Sequence, residues 1–213
     1  FTLLIFSGNS ARMKNKGELN MENKISNETL KKYAKIASEV FMDDPVYVQV
    51  AKNKKIRKTV IYHGTLIRMY ASRKNCLFYF DEEERGMLVL KHVSIDYKVS
   101  EFLKCPNWPA VILLRPYAAK LFGIIGKFDN KNIFDENTYT ISPLFVAKEH
   151  QGKGVARKLV ERALEDMRAK GCKIGLDTQN PVNVPIYEKI GFKLVKEEYF
   201  EENQLNNYYM IIE

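Results

Sequence analysis

The residues best suited to chemistry lie between Thr138 and Phe192. Gln151-Gly152-Lys153-Gly154-Val155-Ala156 opens a long amphipathic segment, Asn180 and Asn183 follow a short apolar run, and Tyr187 stands four residues before Gly191-Phe192. A glycine turn feeding a helix suits an anion, because the first N–H groups of a helix lack intrahelical partners and carry partial positive charge. Gly152 and Gly154 remove Cβ atoms where a phosphate must approach the backbone, and small Ala156 continues that clearance. Lys153, Arg157 and Lys158 add positive charge around the same turn. A tight strand-to-helix connection also needs such glycines for steric reasons alone. The Gly-x-x-x-x-Gly-Lys-Ser/Thr spacing of a nucleotide P-loop is absent. Tyr187 supplies a phenol whose ordinary pKa of about 10 keeps it protonated at neutral pH, able to donate to a departing anion. Its other reading is an aromatic helix residue packed beside Phe192.

These groups need elements to hold them. Residues 139–146 read as an apolar strand, and residues 154–170 as a helix with Val155, Leu159, Val160, Ala163, Leu164 and Met167 facing inward, stopped by Gly171. A strand over 172–178, a short helix over 184–190, a strand over 192–199 and a hairpin partner over 206–212 follow. Upstream, Ser26 or Asn27 caps a helix whose apolar residues are Leu30, Tyr33, Ala34, Ala37, Val40 and Phe41, and Asp43-Asp44-Pro45 stops it. A second helix over 54–73 sets Ile56, Val60, His63, Ile67 and Tyr70 on one face. Strands at 76–80 and 86–93 flank a charged turn. Between residues 96 and 128, Pro106, Pro109 and Pro116 punctuate apolar segments that include Phe102-Leu103 and Leu121-Phe122. This stretch predicts two or three helices over one end of the sheet, either as a lid or acceptor-pocket wall or as ordinary core packing.

Composition narrows the class. The 213 residues suffice for one domain, and 46% hydrophobic content supports a sizeable core. No apolar run approaches the roughly 20 residues that span a bilayer. Three widely spaced cysteines form neither a disulfide framework nor a zinc site, and fit a reducing cytoplasm. A formal charge of +8 favours anionic partners or describes a lysine-rich surface; the lysines are scattered, which weakens a nucleic-acid role. Residues 1–20 lack an initial methionine and read as a non-native or disordered tail, leaving 21–213 as the folded domain.

The ordered set Gln151-x-x-Gly154-x-Ala156, Asn180, Asn183 and Tyr187-x-x-x-Gly191-Phe192 resembles the GNAT family of N-acetyltransferases, over about residues 139–200. The resemblance implies an α/β fold: a mixed central sheet with splayed parallel strands, N-terminal helices and a helical insertion before the cofactor-binding strand. It implies that the backbone of Leu144, Phe145 and Val146 pairs with the pantetheine arm of acetyl-CoA and polarises the thioester carbonyl. Gln151, Gly152, Lys153, Gly154, Val155 and Ala156 would bind the pyrophosphate through main-chain N–H groups. Asn180 would meet the pantetheine, Asn183 would lie along the same groove, and Tyr187 would protonate the departing CoA thiolate.

No metal is expected. The general base is left open among Asp43, Asp44, His92, Glu149, His150, Asp177 and a water relay. Asp177, at the end of a central strand near the expected thioester, is the better placed carboxylate. The expected activity is acetyl transfer from acetyl-CoA to a primary amine on a small, partly apolar molecule, by a cytoplasmic monomer or homodimer. Phe41-Met42-Asp43-Asp44-Pro45 and the helical insertion look like the branch containing antibiotic and other small-amine acetyltransferases. The alternatives are a protein- or tRNA-directed acetyltransferase, a basic RNA-binding module on the same fold, and an acyl-CoA sensor without turnover.

Overall fold

The computed structural model describes residues 25–96, 105–128 and 130–213. The tail at 1–20, and Phe102 and Leu103 of the insertion, lie outside the described residues. Ser26 starts helix α1 (Asn27–Val40) by accepting the Thr29 N–H at 3.0 Å, and Leu30, Tyr33, Ala34 and Ala37 form its buried stripe. Asp44-Pro45 ends that run and also begins another. The Asp44 carboxylate accepts the N–H groups of Val46 and Tyr47, capping helix α2 (Pro45–Val50), which is too short to show a periodicity. Helix α3 (Lys54–Ser72) buries Ile61, Leu66 and Met69 besides the expected Val60 and Ile67. Its buried face is wider than one stripe because α1 and α2 both pack against it.

Strands β1 (Cys76–Phe80) and β2 (Gly86–His92) form a hairpin, its turn braced by Arg85 on Asp81 at 2.7 Å. The insertion folds as α4 (Trp108–Leu113), α5 (Arg115–Ile125) and α6 (Asn130–Ile133). Then come β3 (Thr138–Val146), α7 (Val155–Arg168), β4 (Lys173–Thr178), α8 (Asn183–Ile190), β5 (Lys193–Phe200) and β6 (Leu205–Ile212).

The six strands form one mixed sheet in the order β1-β2-β3-β4-β6-β5. Strand alternation sends Leu88, Leu90, Ile174, Leu176 and Met210 to one face, against Leu159, Val160, Ala163 and Met167 of α7. Met87, Val89 and Phe145 face the other way, against Leu30, Tyr33 and Ala37 of α1 and Leu66 and Met69 of α3. The insertion packs on α2 through Val46, Val50 and Ile124, with Leu205 of β6. Phe128 meets Phe200 edge-on at 5.4 Å, so the insertion covers the end of the sheet near the β5–β6 turn.

The central pair determines where a ligand can enter. β3 and β4 are parallel and pair only through Thr138–Lys173, Tyr139–Ile174 and Thr140–Gly175. Beyond Thr140 they part. There β3 carries a bulge against β2: Ser142 and Pro143 lie opposite Val89 alone, and a bulged strand bends. Pro143 has no N–H to offer a ladder. The two strands diverge toward their carboxyl ends and leave a cleft between Leu144–Val146 on one side and Leu176–Thr178 on the other.

Behind the apex, Phe134 lies over Gly175. A Cβ there would sit 2.9 Å from the Phe134 ring, which is itself 4% exposed and packed with Val93 and Tyr209. Gly175→Ala is expected to lower unfolding free energy by about 1–3 kcal/mol, read as a lower urea midpoint. An unchanged midpoint would show that the ring has room to withdraw.

Candidate active site

At the open end of the cleft, Gly152 and Gly154 hold φ of +74° and +79°, in the left-handed region that favours glycine. Nothing lies within 4 Å of the position a Cβ would take at either, so this side of the turn is open. Helix α7 begins there without a side-chain cap and without an acid in its first turn, leaving its leading N–H groups directed outward. The Val155 side chain is buried in the core, so this residue offers the turn only its main chain. Ala156 is half-buried, and Lys153 and Lys158 are exposed beside it. The Gln151 amide donates to the Val146 carbonyl at 3.0 Å, tying the turn to the end of β3. Arg157 donates to the Lys189 carbonyl at 2.9 Å, tying α7 to α8.

Along the cleft, Phe145 turns its ring into the α1 face, 5.8 Å from Phe41, while Leu144 joins the α7 face. What Leu144, Phe145 and Val146 present to the gap is therefore backbone. On the opposite wall, Asn180 and Asn183 shape the β4–α8 connection. The Asn180 Oδ1 accepts the Val182 N–H at 3.2 Å, and the Asn183 Nδ2 donates to the Thr178 hydroxyl at 3.0 Å. Both sequence-derived asparagines are thus at the cleft edge, each with one side-chain atom engaged.

Tyr187 lies on α8, and Gly191 (φ +119°) terminates that helix two turns from its start, with the Phe192 N–H bonded to the Tyr187 carbonyl at 3.0 Å. The Tyr187 ring packs edge-on to Phe192 at 5.7 Å, so the aromatic-packing reading holds as well as leaving the phenol available. Its hydroxyl has no hydrogen bond to another described residue. Desolvation pushes this phenol up to about 12, and the carboxylates of Asp177 and Asp44 add to the rise. Three groups from distant segments, α2's cap, β4's end and α8, therefore share one electrostatic neighbourhood.

Burial raises the Asp177 carboxyl above its ordinary range, against hydrogen bonds from Asn130 and Gln179 and the charges of Lys91 and Arg68. Asn130 Nδ2 donates to one Asp177 oxygen and Gln179 Nε2 to the other, each at 2.9 Å. Gln179 also bonds the buried Asn207, so the carboxylate is held in a fixed orientation. Burial raises Asp44 too, opposed by its capping bonds to Tyr47 and Val46 and by Arg68.

The other candidate bases do not join this group. His92 uses both ring nitrogens, 2.7 Å from Ser94 Oγ and 2.9 Å from the Glu136 carbonyl. Glu149 and His150 lie on a 3-10 turn after β3, and Asp43 is exposed beside Asp44. Among the described residues, no group of three or more His, Cys, Asp or Glu could hold a metal ion. No helix among them is long and apolar enough to cross a membrane.

Four polar residues around Asp177 escaped the sequence reading. Lys91 alternates with Met87 and Val89, so a lysine in register with core positions was a visible signal. Arg68 sits beside the buried Thr65, Met69 and Ser72 of α3, a charge at the edge of an apolar face. Asn130 had no local signal, because tertiary packing alone brings it to Asp177, whereas Gln179 stands only two residues after Asp177.

Comparison with known proteins identifies the family of the chain. The profile of the Acetyltransferase (GNAT) family matches residues 69–192, more than half of the chain. The chain is 32% identical over 69 residues to the L-methionine sulfoximine/L-methionine sulfone acetyltransferase of Salmonella typhimurium, covering 30% of this chain and 40% of that protein. It is 30% identical over the same length to the L-amino acid N-acyltransferase MnaT of Escherichia coli, again 30% of this chain and 40% of that one. The chain thus spans well under half the length of these curated relatives. Its fold is similar to the crystal structure of an N-acetyltransferase from Staphylococcus aureus, with a TM-score of 0.58 and 17% identity over 88% of this chain and 97% of that one. The splayed strands, the glycine turn and the family profile coincide on one segment, and the chain belongs to the acetyltransferase (GNAT) family.

Proposed function

We propose that this protein transfers the acetyl group of acetyl-CoA to a primary amine on a small molecule. The observation that carries the reading is the parting of β3 and β4 after Thr140, with an open glycine turn at one end and Tyr187 and Asp177 toward the other. The residues fit the donor. Gly152 and Gly154 leave free space where side chains would stand, and the uncapped start of α7 offers N–H groups to a pyrophosphate. Leu144, Phe145 and Val146 line the gap with backbone, and Asn180 and Asn183 edge it. When bound, acetyl-CoA supplies an activated acyl carbonyl and a thiolate leaving group.

The chain's own groups divide the proton work. Asp177 accepts a proton from the incoming ammonium or amine; its raised affinity for protons makes it a stronger base than an exposed aspartate. Tyr187, protonated throughout the physiological range, donates from its hydroxyl to the departing sulfur. Arg68 acts on Asp177, and Asp44 on Tyr187. The helices of the insertion limit the space beside Asp177, which favours a small acceptor over a protein chain. The amino-acid acyltransferases among the relatives support that size class.

The test is direct. Acetyl-CoA at about a hundred times its Kd should stabilise the protein by about 2.7 kcal/mol, read as a rise in Tm. Thiol release should then follow addition of an amine from a panel of amino acids, polyamines, aminoglycosides and peptides. A Tm that ignores acetyl-CoA overturns the reading.

A further inference from the structure

Strand β5 ends the sheet. Its one strand partner among the described residues is β6, so its outer side presents main-chain N–H and C=O groups that no neighbouring strand takes up. The lysines of this strand and the bulge at Val195 are devices that guard such edges. Large apolar side chains left in solvent are not. Leu194, Val195 and Tyr199 are 43%, 49% and 58% exposed.

These residues continue into a patch on one face of the sheet. Leu194 stands opposite Met210 and Tyr199 opposite Asn206, and cross-strand partners share a face, here the one that α7 covers. Helix α8 lies on the same face, packing Val184, Tyr187 and Ile190 inward. Strands β4 and β5 both run antiparallel to β6, so α8 must run back along β5 to connect them. Its outward Ile186, with Val182 one turn before it, is 50% exposed and Val182 65%.

Charge is ordered along the same edge. Lys189, Lys193 and Lys196 lie at the end where β5 begins, and Glu197, Glu198 and Glu201 at the end where it finishes. Lys196 already pairs with Glu198 at 3.1 Å, and Lys193 lies in the field of Glu213. The complementarity therefore lies in the two halves of the edge and requires no unpaired group. An antiparallel copy of this strand sets each basic half against an acidic one, whereas a parallel copy opposes like charges.

We propose that β5 and the outer side of α8 form a two-fold interface with a second copy of this chain, the two β5 strands running antiparallel at its centre. The same patch then serves both partners, as a two-fold contact demands. Leu194, Val195 and Tyr199 leave solvent there, and the open ladder of β5 gains a partner. The contact runs along the helix that carries Tyr187.

Sedimentation velocity of the full chain at low ionic strength, over a concentration series, should show twice the chain mass at the upper end. Glu197→Lys/Glu198→Lys makes the edge wholly basic, and Lys193→Glu/Lys196→Glu makes it wholly acidic. Each variant alone should dimerise about ten-fold or more weakly than the unmodified protein, because like charges then face one another. An equimolar mixture of the two should recover the dimer, which also shows that both fold. Hydrogen exchange of the unmodified protein gives a reading that needs no variant: amides in residues 193–200 should exchange more slowly as concentration rises. A monomer throughout the series, a dimer unaffected by either reversal, a mixture that stays monomeric, or exchange at 193–200 indifferent to concentration overturns the proposal.

Discussion

Tyr187→Phe is expected to lower kcat by about 10²–10⁴-fold, the range for loss of a positioned general acid, while leaving the affinity for acetyl-CoA nearly intact. The ring keeps its edge contact with Phe192, and the hydroxyl has no hydrogen bond to another described residue whose loss would strand a partner. Stability should accordingly change by no more than about 0.5 kcal/mol. The size of the effect follows from the surroundings of the phenol. Desolvation together with Asp177 and Asp44 pushes it up to about 12, so it is fully protonated at any working pH. Once Asp177 takes the proton of the amine, one of the charges holding that phenol up disappears. The hydroxyl becomes a better donor at the moment a thiolate needs a proton. No alkaline fall in kcat from this group should be seen up to about pH 10. Steady-state kinetics with calorimetric acetyl-CoA binding provides the check, and turnover equal to that of the unmodified enzyme would remove Tyr187 from the chemistry.

The division between what sequence discloses and what it conceals follows interaction range. Ser26, the helical spacing of α1 and the inward stripe Val155, Leu159, Val160, Ala163, Leu164 and Met167 are local patterns, and each was readable to within a residue or two. The Gly152 and Gly154 turn was readable because few residues adopt positive φ and the following periodicity marks a helix start. The parting of β3 from β4 came only from the family resemblance, since no period in residues 138–178 says where a parallel pair stops. Helix α2 was hidden because six residues cannot show a 3.6-residue repeat, and Asp44 looked like a terminus when it is also a cap. Asn130, Asn207 and the local pair Asp177 and Gln179 meet from three segments, so their network belongs to the tertiary fold apart from that one short-range bond. Lys91 was a legible clue left unused, a charge at a position where β2 alternation calls for core, and Arg68 at the edge of the buried face of α3 was another.

Asp177→Asn is the second large effect expected, with kcat/KM at neutral pH falling by about 10²–10⁴-fold for loss of a general base. The distinguishing readout is the pH profile. Burial raises the Asp177 carboxyl, so on acidification it takes up a proton earlier than an exposed aspartate and can no longer accept one from the amine. The unmodified enzyme should therefore show an acidic limb above the ordinary carboxylate range, and the variant should lose it. Asp44→Asn retains an oxygen for the Val46 and Tyr47 N–H groups, and should cost only a few-fold with the limb intact. Stability provides a second signature whose sign is fixed by linkage. Because folding raises the Asp177 pKa, the folded state holds the proton more tightly than the unfolded chain. The associated stability is present below the unfolded value of about 3.8 and is lost as pH rises through the folded one. The variant should show a shallower decline of Tm across that window. A decline as steep as the unmodified protein's would mean that Asp177 titrates alike in both states, and its burial could not then be what equips it as a base.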